Sequence, residues 1–136
     1  MDVQLRVIRS TDFLCTSHAG ELDLERSKEI LLAVAAANKP PNDRDILIDL
    51  RAARGEGIEM SKVIELVKVM VDHLASFQRK LALLIPKDHP GERSRLMKEY
   101  ANERGFHMDV FNDYEEAMTW LMWSTPVVLP RDPRTS

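Results

Sequence analysis

From residue 45 onward, the sequence alternates between short apolar runs and longer segments of helical periodicity, and this alternation restricts the fold more than any other feature. The apolar runs are DILIDLR at 45–51, LALLIP at 81–86 and FHMDVF at 106–111. Between them, apolar residues recur every three or four positions, as they do along one face of an amphipathic helix. This alternation requires right-handed crossovers and predicts a mostly parallel sheet covered by helices on both faces.

Two further strands are predicted ahead of this alternation. VQLRVI at 3–8 alternates apolar and polar residues, which is typical of a half-buried strand. TDFLCTSHA at 11–19 follows after a short polar break and is expected to pair with it as a hairpin that ends at Gly20. The predicted fold is therefore of the α/β class, a single mixed, mostly parallel five-stranded sheet in the order β-β-α-β-α-β-α-β-α.

Capping residues predict where the helices begin and end. Asp23 is expected to cap the first helix. The second helix is predicted over 61–77, and Gly105 is a suitable residue to end the third. Asp113 with Glu116 has the spacing of a capping box for the fourth helix.

The length of 136 residues suits one domain. We predict that the domain spans residues 1–124 and that residues 125–136, which contain three prolines, form a C-terminal tail. The segment MDVQLRVIRS at the N-terminus has charges and no apolar stretch, so it does not resemble a signal peptide. No apolar run approaches the roughly 18 residues that a membrane span needs.

Charge and cysteine content exclude several partners and cofactors. The formal net charge is -3, so no general basic surface is expected and nucleic acid is not a predicted partner. Cys15 is the only cysteine, which excludes an internal disulfide and a cysteine-based zinc site. The histidines are scattered without a metal-ligand spacing, so neither a metal nor a cofactor is predicted. These features together predict a reduced, cytoplasmic protein.

Charged residues follow the predicted third and fourth strands. Asp49 marks the point where the third strand first meets water, and Arg51 and Arg54 come shortly after it. Lys87 and His89 follow the fourth strand. Ligands of open α/β sheets bind outside the carboxyl ends of the strands, where helix N-termini also attract anions. Arg51, Arg54, Lys87 and His89 are therefore a candidate anion-binding set; the alternative is that they are solvated loop charges.

No catalytic residue is predicted. Ser61, His89 and Asp49 are the residue types of a catalytic triad, but no G-x-S-x-G motif surrounds the serine. The segment Gly55-Glu56-Gly57 lacks the remaining residues of a phosphate-binding loop. An enzyme acting on an anionic substrate near Arg51, Lys87 and His89 is the weakest of the functional hypotheses.

The last predicted helix is apolar on nearly every side. Met118 and Leu121 can face the sheet, whereas Trp120, Met122 and Trp123 need a second cover. The tail, a second subunit or a ligand are the three alternatives. A homodimer or a protein partner bound through this helix is predicted on that basis.

Three segments carry a resemblance to a known family. HAGELDLERSKEIL at 18–31, ILIDLR at 46–51 and VFNDYEEAMTWL at 110–121, taken in this order and spacing, resemble the STAS domains, the anti-sigma-factor antagonists of the SpoIIAA type. The sequence is most similar to the uncharacterised SpoIIAA-like branch, over about residues 3 to 123. The resemblance implies a non-catalytic regulatory module that binds another protein.

The resemblance also singles out Ser61. In the family, an anti-sigma kinase phosphorylates the serine of an Asp-Ser pair at the start of the second helix. Here the segment is IEMSKV, in which Glu59 and Met60 precede Ser61. Ser61 is the corresponding candidate phosphoacceptor; the alternative is that it only caps the helix.

A carrier or binder of a small apolar or anionic molecule is the alternative to a protein-binding module. It rests on the wide apolar faces of the second and fourth helices and on seven methionines, whose flexible side chains suit pocket linings. The same methionines also serve as ordinary core residues.

Overall fold

The computed structural model of the protein describes residues 5–8 and 13–123, apart from the side chains of residues 5–8 and of Trp123. The predicted tail, residues 125–136, lies outside this part of the chain. The elements are β1 (Leu5–Ile8), β2 (Phe13–Glu21), α1 (Leu24–Ala37), β3 (Asp45–Arg54), a 3-10 turn (Met60–Lys62), α2 (Val63–Asp72), a second 3-10 turn (Leu74–Phe77), β4 (Lys80–Leu84), α3 (Glu92–Glu103), β5 (His107–Phe111) and α4 (Tyr114–Trp123).

The strands lie in one sheet in the order in which they occur along the chain, β1-β2-β3-β4-β5. β2, β3, β4 and β5 run parallel to one another, and β1 pairs antiparallel with the outer edge of β2. The prediction of an α/β fold with a mostly parallel sheet and packed helices is confirmed.

The sequential strand order decides where the helices lie. Each crossover moves one strand further in the same direction, and crossovers of one hand then place their helices on one face. α1, α2 and α3 accordingly share a core with each other on one face of the sheet, whereas α4 packs on the opposite face. Both faces are covered, as predicted, but very unequally.

The central strands are apolar on both sides because both faces are buried. Ile46, Ile48, Leu81 and Leu83 face the three-helix side. Leu47, Ala82 and Leu84 face α4, where Ala117 and Leu121 cover them. The apolar runs at 45–51 and 81–86 thus become β3 and β4, the two strands in the interior of the parallel part of the sheet.

β2 and β3 are longer than predicted. A register shift between Ser17 and Ala19 forms a bulge, after which pairing resumes and carries β2 through Gly20. Gly20 was expected to end the strand; it instead has a φ of 85° within it, a conformation that glycine adopts without strain. β3 correspondingly continues to Arg54, whose carbonyl accepts a hydrogen bond from the Leu22 N–H at 2.7 Å.

The second predicted helix is interrupted. α2 ends at Asp72, because His73 has non-helical angles of φ -124° and ψ 43°, and a 3-10 turn follows. This turn directs Ser76 and Phe77 into the core, where the Ser76 Oγ donates a hydrogen bond to the Ala35 carbonyl at 2.9 Å. A straight helix over 61–77 would bury Leu74 on the face of Val67 and Met70 and would turn Ser76 toward solvent, whereas Leu74 is 50% exposed and Ser76 is buried, so that predicted span was wrong.

Local capping chemistry agrees with the sequence. The Asp23 carboxylate accepts a hydrogen bond from the Arg26 N–H at 2.8 Å and caps α1 as predicted. Asp113 accepts one from the Glu116 N–H at 3.3 Å, which is one half of the predicted capping box. Gly105, with a φ of 93°, follows the end of α3.

Candidate functional site

An apolar cavity of about 100 Å³ opens at the carboxyl ends of β3 and β4, where the first turns of α1, α2 and α3 converge. The strands contribute its floor because they extend beyond the point where the helices cover them. Ile58, in the turn between β3 and α2, contributes one wall and is held by the hydrogen bond from its N–H to the Gly55 carbonyl at 3.1 Å. The apolar lining consists of Leu22, Ile30, Leu31, Ile48, Leu50, Ala53, Ile58, Leu66, Leu83, Ile85, Pro86 and Met97.

Four polar side chains, Ser27, His89, Arg93 and Ser94, and the glycines Gly55 and Gly91 complete the lining. Arg93 is half-buried in the first turn of α3, and its Nε donates a hydrogen bond to the Ile58 carbonyl. Within residues 13–123, no carboxylate forms an ion pair with Arg93. The terminal nitrogens of this guanidinium are therefore available to an anion.

His89 is held in a defined orientation beside the cavity. Its Nδ1 accepts a hydrogen bond from the Gly91 N–H at 2.8 Å, so the neutral ring carries its proton on Nε2, which lies 3.1 Å from the Glu56 carboxylate. The pKa of Glu56 is lowered, first by a hydrogen bond within its own residue and then by the hydrogen bond to His89. His89 and Glu56 thus satisfy each other.

The predicted anion-binding residues are not gathered in one place. Arg51 lies on the α4 side of the sheet, where its Nη2 is 2.8 Å from Asp49 Oδ2 and its guanidinium carbon is 5.4 Å from the Tyr114 ring centroid. His89, by contrast, lines the cavity on the three-helix side.

The remaining two members of that set also lie apart from the cavity lining. Arg54 pairs with Glu21 at 3.0 Å, and Lys87 is exposed. Anion binding by any of these four residues stays a prediction. The cation that does line the cavity is Arg93, which comes after the predicted set in sequence.

Ser61 is exposed and lies within the 3-10 turn Met60–Lys62, not at the N-cap of α2. The cap position of α2 is occupied by Lys62, whose side chain makes no capping hydrogen bond. The prediction that Ser61 caps this helix was wrong, because the chain enters α2 through a tighter turn whose backbone bonds replace a side-chain cap. Phosphorylation of Ser61 stays a prediction.

The three residue types of a triad are not assembled. The Asp49 carboxylate is bound by Arg51 on the α4 side, whereas both His89 nitrogens have partners on the other side of the sheet. Among the described residues, no hydrogen bond joins Asp49 or His89 to Ser61. This arrangement supports no nucleophilic mechanism through these three groups.

The α4 helix buries one side and exposes another. The half-buried Trp120 ring lies 5.6 Å from the Phe111 ring and 5.6 Å from the Lys80 Nζ. Lys80 is itself buried and donates hydrogen bonds to the carbonyls of Trp120 and Leu121 at 3.0 and 2.7 Å. Burial lowers its pKa. Met122 is 48% exposed, and the Trp123 side chain lies outside the described residues.

Two further features of the described residues bear on the nature of the site. In the part of the chain that the structure describes, no group of three or more His, Cys, Asp or Glu side chains is arranged to hold a metal ion. None of the helices in that part combines the length and apolar character needed to cross a bilayer.

The fold resembles that of solved structures. An uncharacterized protein of the DUF3478 family from Shewanella loihica PV-4, described as having a SpoIIAA-like fold, superposes with a TM-score of 0.56 at 19% sequence identity, covering 88% of this chain and 92% of that chain. The anti-sigma factor antagonist SpoIIAA in its unphosphorylated form superposes with a TM-score of 0.51 at 19% identity, covering 86% of this chain and 94% of that chain. No protein-family model and no curated protein matches the sequence.

The chain therefore has an α/β fold of the SpoIIAA-like type, and the resemblance to STAS domains is confirmed at the level of the fold. The similarity extends over most of the chain; the predicted domain bounds, residues 1–124, stay a prediction.

Sequence reasoning did not identify the cavity. Its polar members Ser27, Arg93 and Ser94 each lie in the first or second turn of a helix, at positions that are usually solvated. The one available signal was that three helices begin next to strand ends of the same sheet. This signal locates an edge of the sheet, but not the side chains that line it.

Proposed function

We propose that this chain is a non-catalytic regulatory module that acts by binding a protein partner at the turn carrying Ser61. The observation that supports this proposal is the exposure of Met60, 40% accessible, directly beside the exposed Ser61. An apolar side chain next to an accessible hydroxyl offers both contact area and a site for modification. The likeness to SpoIIAA, described as an anti-sigma factor antagonist, supports the same class of function.

Fixed charges border this turn. Glu65 accepts a hydrogen bond from the Lys28 Nζ at 2.9 Å and lies 3.6 Å from the Lys62 Nζ, so α1 and the start of α2 are joined next to Ser61. A phosphate on Ser61 would add close to two negative charges beside Glu59 and this network. Such a change in local charge is large enough to switch a protein contact off.

Site-specific photo-crosslinking tests the location of the interface. A photoreactive phenylalanine analogue is incorporated at position 60, and the matched control carries it at Val71, which is 45% exposed toward the other end of α2. In cells of the source organism, we expect position 60 to capture one defined protein and position 71 to capture none. Equal labelling from both positions would contradict a specific surface at the turn.

The captured protein then allows a direct test of Ser61. Binding of the purified partner is measured by calorimetry for Ser61→Asp and Ser61→Ala. If Ser61 is regulatory, only Ser61→Asp should lose binding. Full affinity in both variants would contradict a regulatory role for Ser61 while remaining compatible with an interface at this turn.

A cytoplasmic location and a homodimer through α4 belong to the same proposal. The first accords with the lone Cys15, and the second with the 48% exposure of Met122. Sedimentation velocity over a range of concentrations tests the dimer.

The carrier hypothesis is a second candidate, favoured by the cavity at the carboxyl edge of the sheet.

A further inference from the structure

We infer that the cavity at the carboxyl ends of β3 and β4 binds a small monoanionic amphiphile, an aromatic or branched short-chain carboxylate. Its apolar part would enter the cavity and its carboxylate would meet Arg93 at the rim. This inference deepens the carrier hypothesis named above; it does not rest on the regulatory function, since the cavity and the Ser61 turn are separate features.

The size of the cavity limits the apolar part. Its volume is about 100 Å³, somewhat smaller than an apolar cavity of ~150 Å³ that binds benzene. The cavity is therefore too small to enclose a benzene ring completely, and a ring or a short branched chain would be buried in part, with its charged end at the rim. Water is poorly suited to the interior, because the strand and helix side chains that line it offer few hydrogen-bond partners.

The charges at the rim favour one negative charge on the ligand. Arg93 carries the positive charge of the lining without a carboxylate partner in the described residues, whereas His89 is already paired with Glu56. A guanidinium binds a carboxylate through two parallel hydrogen bonds. A dianionic phosphate is disfavoured because, among the described residues that line the cavity, only Arg93 is a cation without a carboxylate partner, and Glu56 lies near the rim, 3.1 Å from His89 Nε2.

Two hydroxyls and the start of α3 add hydrogen-bond donors. Ser27 and Ser94 both line the cavity, and Gly91, at the N-cap of α3, supplies no capping side chain. The first N–H groups of a helix lack intrahelical partners. These donors supplement the contact with Arg93 but do not define the site.

Binding of benzoate and of its uncharged analogue benzamide to the full chain tests the charge requirement. Affinities are measured by titration followed by ¹H–¹⁵N NMR. We expect benzoate to shift the amide signals of Gly55, Ile58 and Ser94. Arg93→Gln should lower the affinity for benzoate at least tenfold, which corresponds to about 1.4 kcal/mol. The same substitution should change the affinity for benzamide by less than about twofold.

Arg95→Gln is the matched control, since Arg95 is exposed and bonds to Pro90 and Asn112 rather than lining the cavity. It should leave both affinities unchanged. If Arg93→Gln lowers the thermal midpoint, Arg93→Lys replaces it as the test variant. Lysine keeps the charge but cannot form the two parallel hydrogen bonds, so this variant should weaken benzoate binding severalfold and leave benzamide binding unchanged.

Ser27→Met tests the cavity itself, because the longer side chain would fill it from α1. Binding of both benzoate and benzamide should then be lost with the amide spectrum still dispersed. Three results would overturn the inference: no benzoate binding at millimolar concentration, equal weakening by Arg93→Gln and Arg95→Gln, or benzoate binding that persists in Ser27→Met.

Discussion

The Arg51 guanidinium binds both carboxylate oxygens of Asp49, its neighbour two residues earlier on β3. Arg51 Nε lies 3.0 Å from Oδ1 and Nη2 lies 2.8 Å from Oδ2, while the Arg51 backbone N–H donates to Oδ1 at 3.0 Å. Burial acts to raise the pKa of Asp49, but the hydrogen bonds and positive charge of Arg51 outweigh it, so the pKa of this carboxyl is lowered. A carboxylate late in an apolar strand is thereby satisfied within the strand itself.

This relationship predicts a pH-dependent contribution to stability. Because the folded-state pKa of Asp49 is below its unfolded value, the stabilisation is present above the unfolded pKa and is lost as the pH falls through the folded pKa. Asp49→Asn should therefore lower the thermal midpoint most near neutral pH, and the gap to the wild type should narrow as the pH falls below the unfolded pKa of an aspartate, about 3.9. Asp72→Asn, at an exposed position, is the control. A gap that stays constant with pH would contradict the pairing.

Ser61→Ala should leave stability nearly unchanged, within about 0.3 kcal/mol, because no capping hydrogen bond is made at the start of α2. Asp23→Ala is the matched variant, since Asp23 does cap α1, and it should cost about 1 kcal/mol. Urea unfolding of the two variants measures both effects. A loss in Ser61→Ala comparable to that in Asp23→Ala would show that Ser61 caps its helix after all.

Gly91→Ala should destabilise the protein more than Gly105→Ala. Both glycines have positive φ, 70° and 93°, so each substitution carries a left-handed strain of roughly 1 kcal/mol. At Gly91 a Cβ would also overlap the Cδ1 of Ile85, whereas at Gly105 the space is open. The overlap should add a further 1–3 kcal/mol or so. Equal unfolding free energies for the two variants would argue against this packing.

Leu83→Asp should abolish folding. Leu83 is 5% exposed on the three-helix side of β4. A carboxylate there costs several kcal/mol of desolvation, in addition to the roughly 2–5 kcal/mol lost with the buried leucine side chain, and the total is comparable to the whole stability of a domain, about 5–15 kcal/mol. Leu32→Asp, at a helical position that is 44% exposed, is the control and should fold normally. A cooperative thermal transition in Leu83→Asp at the wild-type midpoint would contradict the position of this strand.

The sequence alone determined the features that depend on local periodicity and local chemistry. The apolar run 81–86 had to be buried on both sides, and Asp23 and Asp113 had the right side chains directly before helical segments. The order of strands and helices followed from these signals, and the SpoIIAA-like fold was predicted from the resemblance of three segments in their order and spacing. The strands and the helix caps could be predicted from a few consecutive residues, because the hydrogen bonds and the periodicity involved are themselves local.

Tertiary structure alone decided how those elements use their side chains. Whether α2 continues past His73 depends on the burial of Ser76 against α1, where its Oγ donates to the Ala35 carbonyl, and no local propensity reports that contact. The partners of the basic residues depend on the same long-range arrangement. Arg51 faces α4 and binds Asp49, whereas Arg93 is directed to a cavity formed by three helices and two strands. In the sequence these two arginines are equivalent charges near strand ends. Arg51 has a structural role because Asp49 lies within reach on its side of the sheet. Arg93 lies on the other side, where no carboxylate of the described residues pairs with it, and is available to a ligand.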